Sequence, residues 1–314
     1  MFLSIISNLL TYVCILLAVA FFTLLERKGL SYMQIRKGPN KVGIMGIPQP
    51  IGDAMKLLMK EIAKPTMANY SLYYVAPIIS FILALFLWQL YPSYYSVSYF
   101  KWGVLFFLCV SGMNVYGTLM AGWSSNSKYA LLGSLRAIAQ TISYEISMAL
   151  ILLFPLFLVG SFSFVEIKES QENIWFTFIM IPVSVIWFTT CVAETNRAPF
   201  DFAEGESELV SGFNIEYGAS GFALIFLAEY ANILVMSLFS ALLFLGGDSL
   251  LMITNSDFMF IMKILFFSFA FIWVRASYPR FRYDLLMNLT WKVFLPGSLS
   301  FLAIMTTMSY YLFY

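Results

Sequence analysis

The sequence contains no histidine among its 314 residues. Haem held by paired imidazoles, zinc or copper sites built on imidazole, and a histidine-centred catalytic triad are therefore excluded. The three cysteines, Cys14, Cys109 and Cys191, are far apart, and without a CxxC spacing an iron–sulfur cluster held by this chain alone is not expected. Neither GxGxxG nor GxxxxGKS/T occurs, which leaves no motif for a dinucleotide or a P-loop nucleotide. Any redox cofactor is expected on another chain.

Charged residues are also scarce, at 11%, whereas 61% of the residues are hydrophobic. Soluble domains carry roughly 25% charged and about 45–50% apolar residues, so lipid must surround most of this chain. The formal net charge of +1 gives no sign of a nucleic-acid partner, and none is expected. The charge-free run Phe2–Leu25 has no basic residue before it and is too long for a cleaved signal peptide, which predicts a membrane span.

Apolar runs long enough to cross a bilayer recur eight times. About 20 apolar residues span a hydrocarbon core of roughly 30 Å as a helix, and continuous runs exclude barrel strands, which alternate with a period of two. The sequence therefore predicts an all-α integral membrane protein of eight transmembrane helices, forming one membrane domain over residues 1–314. The predicted spans are Phe2–Leu25, Ser71–Leu90, Gly103–Ala121, Ala137–Gly160, Ile174–Ala193, Gly221–Leu245, Phe258–Val274 and Val293–Phe313.

Basic residues are distributed unevenly between the two ends of these spans. Fifteen of the 18 lie in the odd-numbered loops, and only Lys101, Lys168 and Lys263 lie elsewhere. The positive-inside rule places such loops on the cytoplasm-like side of a membrane, which for a mitochondrial inner membrane is the matrix. Loop 26–70 is then in the matrix and loop 161–173 is outside. The longer odd loops predict docking of a soluble partner, although topogenesis alone explains the charge.

A stretch in the first loop, residues 51–64, is predicted to form an amphipathic helix. Ile51, Met55, Leu58 and Ile62 recur at helical spacing on one face, opposite a face of charged residues. Such a helix lies in the membrane interface with its apolar face towards the lipid. It acts either as a surface anchor, which the pattern alone favours, or as a lintel over a lateral opening for a lipid-like substrate.

Two carboxylates lie inside predicted spans. Glu145 and Glu229 are each about 12 Å from the end of an apolar run, at 1.5 Å per residue. A charge at this depth costs at least about 2.5 kcal/mol on insertion scales, so both side chains are expected to face the bundle interior. They suit proton carriers that load and release near neutral pH; the alternative is a neutral, hydrogen-bonded structural acid. Glu194, at the C-terminal end of the fifth span, is a third candidate because the helix dipole there disfavours negative charge.

The segment that follows, AETNRAPFDFAEGESELVSGFNIEYG, is rich in acids on the side where basic residues are expected. Mutual repulsion among these acids should couple their titrations. The segment forms either a solvated face that binds a basic partner or the wall of a polar cavity that feeds protons inward. Its proline and glycines favour the compact cavity wall. The acids are Glu194, Asp201, Glu204, Glu206, Glu208 and Glu216, against the single base Arg197.

Three arginines, Arg275, Arg280 and Arg282, lie just beyond the seventh span. Positive-inside topogenesis explains their presence. Guanidinium groups also suit pairing with carboxylates, so these side chains are candidates to bind the acidic segment or the polar head group of a substrate.

Four stretches resemble subunit 1 of respiratory complex I, the proton-pumping NADH:quinone oxidoreductase. The resemblance runs essentially end to end, and PFDFAEGESELVSG is its most specific part. The strong apolar bias and short even loops are similar to those of the mitochondrially encoded form. The stretches are LLERKGLSYMQIRKGPNKVGIMGIPQPIGDAMKLLMKE (24–61), AGWSSNSKYALLGSLRAIAQTISYEIS (121–147), AETNRAPFDFAEGESELVSGFNIEYG (193–218) and WVRASYPRFRYDLLMNLTWK (273–292).

The resemblance implies that the chain joins the membrane arm to the hydrophilic arm and helps to form a long, narrow ubiquinone chamber. It also implies coupling: quinone reduction changes the charge at the chamber, which shifts the protonation of the acidic segment and drives pumping. The residues implied to lie at the chamber or its entrance are Glu26, Arg27, Arg36, Asp53, Lys56, Phe222, Phe226, Arg275 and Arg280. Those implied to carry protons are Glu145, Glu194, Glu229, Asp201, Glu204, Glu206 and Glu208.

The same resemblance implies ubiquinone as the substrate, with FMN, iron–sulfur clusters and NADH on partner subunits and no redox cofactor on this chain. The expected partners are the other complex I membrane subunits, soluble quinone-module subunits that dock on the matrix loops, and lipids. The expected location is the mitochondrial inner membrane. One alternative is the homologous membrane subunit of a hydrogenase-type or ferredoxin-linked complex. Another is a stand-alone ion or solute transporter, which often shows inverted repeats or broken helices; no repeat is visible in the sequence.

Overall fold

Helices make up the regular elements in the part of the chain that the structure describes. The computed structural model describes residues 2–63, 65–92, 99–203, 205, 208, 210–249 and 256–313. Seven helical segments in these ranges are long and apolar enough to cross a membrane, and Ile181–Glu194 is a shorter apolar helix. The predicted all-α, multi-pass membrane architecture is therefore confirmed.

The longest connections between helices are those from Met33 to Gln49 and from Glu194 to Ala219. A 3-10 turn extends α3 over Trp88–Leu90, another lies at Gly212–Asn214, and a π-helical segment, Thr290–Phe294, joins the last two helices into one continuous rod. The helices are α1 Phe2–Met33, α2 Gln49–Met59, α3 Tyr70–Leu87, α4 Gly103–Ser124, α5 Lys128–Val159, α6 Phe164–Glu169, α7 Phe176–Ile179, α8 Ile181–Glu194, α9 Ala219–Phe244, α10 Asp257–Ser277, α11 Tyr283–Leu289 and α12 Leu295–Phe313.

Helix α9 is the centre of the bundle. It packs against α1, α3 and α10, while α5 packs against α4, α8 and α12. In its second half, from Ala231 to Phe244, the side chains are buried almost without interruption on every face. The first half, from Ala219 to Tyr230, is only partly buried. The half of α9 nearer the acidic segment therefore has room for polar chemistry, and the far half is tightly packed.

The fifth predicted span is wrong as a single helix from Ile174 to Ala193. The structure breaks it at Met180, whose φ of −135° and ψ of 57° are not helical. Pro182 lies in the first turn of α8. Proline lacks an amide hydrogen and its ring clashes with the carbonyl group four residues earlier, which favours a helix that begins near Pro182 over one that runs through it. The apolar run is therefore divided between α7 and the 14-residue α8.

Helices α1 and α5 extend beyond the predicted spans at the end that carries the acidic segment. α1 continues from Leu25 to Met33, and α5 begins at Lys128 instead of Ala137. Hydropathy marks only the lipid-covered part of a helix, whereas backbone hydrogen bonding continues into the polar region. Because α5 begins earlier, Glu145 lies about 26 Å from the helix N-terminus, at 1.5 Å per residue, near the middle of the 32-residue helix.

The amphipathic helix is confirmed but is shorter than predicted. α2 ends at Met59, and Lys60 is extended, with φ −70° and ψ 144°, because the following residues must carry the chain to the start of α3. Its apolar face is uncovered: Ile51 and Leu58 are 63% and 66% exposed. This face suits contact with lipid at the membrane interface.

Contacts of two lysines stabilise the end of the bundle where α9 ends, opposite the acidic segment. The ammonium of Lys263 donates to the carbonyl oxygens of Leu245 and Ser249, at 2.6 Å in each case. Lys168 forms an ion pair of 2.9 Å with the buried carboxylate of Asp248. Because a cation at a helix C-terminus is stabilising, Lys263 secures the end of α9 where it leaves the core.

Candidate functional site at the polar end of the bundle

A polar cavity lies between α3, α4, α9 and the end of α8. Its volume is about 40 Å³. Two of the predicted proton carriers, Glu194 and Glu229, line it from opposite elements. The remaining lining residues are Ala76, Ser80, Asn114, Gly117, Thr118, Ala121, Thr195, Asn196, Phe213, Ile225, Ala228 and Asn232.

Hydrogen-bonding atoms in the cavity wall lack protein partners. The Oε2 atom of Glu194, Oδ1 of Asn196 and Oδ1 of Asn232 are all buried without a hydrogen bond among the described residues. Buried polar groups are almost always satisfied by protein or by ordered water. These three acceptors are therefore available to ordered water in the cavity.

The third predicted carrier, Glu145, lies outside the cavity wall. Its carboxyl group lies in the interface of α5 with α4, next to the backbone of Gly112. It is close enough to act electrostatically on Glu194. The side chain is half-buried, and Met113 and Ile142 beside it are 56% and 48% exposed. Glu145 thus lies at the edge of the bundle, outside the cavity but within electrostatic reach of Glu194 in its wall.

A cluster of two arginines and a tyrosine surrounds Glu26. The carboxylate of Glu26 accepts a hydrogen bond of 2.6 Å from the Tyr230 hydroxyl and forms ion pairs with Arg197, at 3.4 Å, and with Arg275. The side chain of Glu26 is only 7% exposed. These contacts bring α1, α9, α10 and the start of the acidic segment together at one end of the bundle, and we call the four residues the Glu26 cluster.

Arg197 connects this cluster to the cavity. Its guanidinium lies 4.4 Å from the centre of the Tyr230 ring, over its face. Burial opposes its charge, but Tyr230, Glu26 and Glu229 outweigh that effect and raise the pKa of Arg197 above its ordinary value. Arg197 therefore stays charged, and a change of charge at either acid alters its electrostatic surroundings.

The acidic segment is tied down by further contacts. Arg280 donates to Asp201 at 2.8 Å, and the Phe281 amide donates to the Pro199 carbonyl at 3.0 Å. The side-chain amide of the fully buried Gln140 donates to the carbonyl groups of Ala193 and Phe200, at 2.9 and 2.8 Å. The first part of the segment is thus a fixed wall of the site.

The other predicted residues lie farther out. Arg27 pairs with Asp53 at 2.5 Å, which joins α1 to α2, and Arg136 pairs with Glu208 at 2.6 Å. Arg36 and Lys56 are exposed, without an ion pair to any residue that the structure describes. The two remaining predicted acids, Glu204 and Glu206, lie outside the described residues.

An aromatic ladder runs along one face of α9. The ring centres of Phe222 and Phe226 are 4.2 Å apart, and Phe226 lies 6.2 Å from Tyr230. This ladder leads towards the Glu26 cluster, whereas Ile225, Glu229 and Asn232 face the cavity. The predicted aromatic residues therefore lie beside the acid but on a neighbouring face of the helix.

A separate apolar pocket of about 130 Å³ lies where Ile62, just beyond α2, meets α3 and α9. Tyr73 and Tyr217 form its polar edge: their rings stack at 4.3 Å, and the Tyr73 hydroxyl donates to the Glu216 carbonyl at 2.6 Å. Burial raises the pKa of Tyr217, which lies outside the spans. Both tyrosines therefore act as neutral hydrogen-bonding groups at this edge.

Sequence reasoning missed several residues of the site. Tyr230 and Asn114 carry no motif of their own. Asn232, three positions after Glu229, is predicted from the sequence to share its helix face, and both residues line the cavity. The sequence marks Arg197 only as the single basic residue in an acidic segment. That position was the one available indication that Arg197 forms a buried ion pair, here with Glu26.

Replacing Glu26 with glutamine should destabilise the polar end of the bundle. The substitution leaves the guanidinium of Arg197 buried without its carboxylate, and breaking a buried ion pair costs about 3–5 kcal/mol. We expect a lower thermal unfolding midpoint of the assembled complex in membranes. Arg282→Gln is the matched control, because its contact with Asp284 is 81% and 73% exposed and such pairs contribute at most about 1 kcal/mol. Equal midpoints for both variants would contradict this assignment.

The fold and the site together define a class: a helical multi-pass membrane protein in which buried acids and arginines meet beside a polar cavity. Over residues 6–306 the chain matches the family described as NADH dehydrogenase, and the chain belongs to that family.

Curated relatives agree with this assignment over nearly their whole length. The chain is 55% identical to NADH-ubiquinone oxidoreductase chain 1 of Aedes aegypti, with 96% of this chain and 94% of that protein covered. It is 55% identical to the protein of that name from Heterololigo bleekeri, with 99% of each chain covered. It is 52% identical to that of Osphranter rufus, covering 94% and 93%. The predicted relationship to subunit 1 of complex I is confirmed.

Proposed function

We propose that this chain forms part of the ubiquinone chamber of a proton-pumping NADH:ubiquinone oxidoreductase and couples quinone reduction to proton movement. The observation that carries the proposal is the direct link between two sites. Arg197 contacts Glu26 and Tyr230 on one side and acts on Glu229 in the cavity wall on the other. A charge change at the chamber therefore has a short electrostatic path to a proton carrier.

The quinone side of the proposal rests on the elements around α2. Its uncovered apolar face suits the membrane surface, the apolar pocket lies beside Ile62 just beyond its end, and the Phe222–Phe226 ladder ends at Tyr230 of the Glu26 cluster. An isoprenoid tail requires apolar, aromatic walls, and a quinone head group requires hydrogen-bond donors. Arg275 and Arg280 supply such donors, with Arg27, Arg36, Asp53 and Lys56 around the entrance.

The proton side follows from the buried acids. Reduction of a quinone by two electrons creates negative charge that is neutralised by two protons. We infer that this charge acts through the Glu26 cluster and draws protons along the acidic segment, from Asp201, Glu204, Glu206 and Glu208 to Glu194. Water in the cavity then connects Glu194 with Glu229, and Glu145 passes the proton to neighbouring membrane subunits.

The redox cofactors belong to partner subunits in this proposal. Among the described residues no group of three or more cysteines and acids is arranged to hold a metal ion. We assign FMN, the iron–sulfur clusters and NADH to partner subunits because the family relationship implies it, and we propose that this chain acts as a single membrane domain. The first loop suits a soluble quinone-module partner, since Ile35 and Ile44 are 97% and 81% exposed beside basic residues.

A photoreactive quinone analogue should cross-link within residues 26–65 or 195–230. These ranges contain α2, three of the four residues of the Glu26 cluster and the Phe222–Phe226 ladder, so both head group and tail would lie beside them. The assembled complex is irradiated with the analogue, digested and sequenced by mass spectrometry, with excess ubiquinone as competitor. Competed labelling confined to α10 and α12 would contradict the proposed chamber.

The proposed location is the mitochondrial inner membrane with the odd-numbered loops in the matrix. A cysteine at Lys41 and one at Glu172, both exposed positions, should then react with an impermeant reagent from opposite sides of sealed vesicles. Glu172 is preferred to Lys168, which is engaged with Asp248. Labelling of both positions from one side would overturn the proposed topology.

A further inference from the structure

The carboxyl group of Glu145 lies directly against the backbone of α4. A Cβ atom built on Gly112 would lie 2.6 Å from Oε1 of Glu145, 3.5 Å from its Cδ and 3.6 Å from Oε2. All three nearest atoms belong to this one carboxyl group. The space that a side chain at position 112 would fill is therefore occupied by the carboxyl group of the proposed proton carrier.

Backbone conformation gives no other reason for a glycine at this position. Gly112 lies in the interior of α4 and is not among the residues with positive φ. A glycine in a helix interior is less favourable than alanine by about 1 kcal/mol. Alanine would thus favour the helix, and the specific consequence of having no side chain is room for the Glu145 carboxyl group.

We infer that Gly112 is a positioning residue for proton transfer: it lets the Glu145 carboxyl group lie against α4, in the α4–α5 interface outside the wall of the cavity that Glu194 and Glu229 line. The inference deepens the proposed function and rests on it. A methyl group at position 112 would displace the carboxyl group, which ends a flexible side chain, while the helices keep their packing. Misplacement of a reacting group by about 1 Å can reduce a rate up to roughly 100-fold.

A double-mutant cycle in the assembled complex tests the inference. Gly112→Ala, Glu145→Gln and the double variant are compared for quinone-dependent NADH oxidation and proton pumping in sealed vesicles. Gly297→Ala is the matched control, because Gly297 is also a glycine of a membrane helix but a Cβ there meets nothing within 4 Å. We expect Gly112→Ala to lower pumping about tenfold, with normal assembly on native gels, and Gly297→Ala to match the wild type.

The double variant gives the decisive comparison. If Gly112 acts only through Glu145, the double variant should equal Glu145→Gln alone, and the infrared carboxyl band that disappears in Glu145→Gln should shift in Gly112→Ala. Multiplied losses in the double variant, or an unshifted band, would overturn the positioning role. Wild-type pumping in Gly112→Ala, when Glu145→Gln pumps less than the wild type, would also overturn the positioning role. Wild-type pumping in Glu145→Gln itself would instead overturn the proposed route through Glu145, and the positioning role with it.

Discussion

Replacing Glu229 with glutamine is expected to abolish proton pumping while the complex still assembles with its full cofactor content. Glutamine has nearly the same shape and keeps hydrogen-bonding capacity, but an amide does not titrate. Glu229 lines the polar cavity together with Asn232 and opposite Glu194, so the packing of α9 should be unchanged. Removing an acid–base group typically lowers a rate roughly 10²–10⁴-fold, and a loss in that range is expected here.

The measurement follows NADH oxidation and internal pH together, in vesicles that contain the variant complex of a bacterial homologue. Tight coupling predicts that quinone reduction falls with pumping, and slipping predicts that reduction survives while the gradient is lost. Glu169→Gln is the control, since this acid is exposed near the end of the short α6, and it should behave as the wild type. Wild-type values of both rates in Glu229→Gln would show that the acid is structural.

The second large effect is expected at Arg197. Methionine retains much of the apolar stem of arginine but removes the charge that contacts Glu26, covers the Tyr230 ring and acts on Glu229. Without that charge the chamber and the cavity lose their electrostatic connection. We expect coupled quinone reduction to fall about 100-fold, which corresponds to roughly 2.7 kcal/mol at 1.36 kcal/mol per tenfold change.

Arg197→Lys separates charge from geometry. Lysine restores a positive charge but not the planar group that spans two partners, so partial recovery is expected, with lower quinone affinity than the wild type. The comparison requires equal assembly of both variants on native gels. If methionine and lysine variants have the same activity as the wild type, Arg197 has no part in coupling.

Periodicity and hydropathy were sufficient for most of the helices. Helix α9 was predicted to within two residues at each end because nearly all of its own residues are apolar. The ends of α1 and α5 were not predictable from hydropathy, because both helices continue into a polar region where composition no longer marks them. The break at Met180 had a visible cause in Pro182, which the length of the apolar run concealed.

The site was predictable as a set of residue types but not as a set of contacts. Buried acids in apolar helices were evident from composition along the chain, which located Glu145 and Glu229. Glu229 faces the cavity, whereas Glu145 lies in the α4–α5 interface. Which way each side chain faces depends on the rotation of α9 and α5 about their axes, which helix packing determines. The pairing of Glu26 with Arg275 joins residues 249 positions apart, and no local pattern specifies such a contact.

Infrared difference spectroscopy of the assembled complex, before and after quinone reduction, tests most directly whether these acids exchange protons in response to the quinone. Carboxylic acids absorb in a separate spectral region from carboxylates, so gain or loss of a proton at Glu194 or Glu229 gives a band of its own. We predict carboxyl bands that change on reduction in the wild type, lose one component in Glu229→Gln and another in Glu194→Gln. A difference spectrum that is the same in the wild type and in both variants would contradict the account.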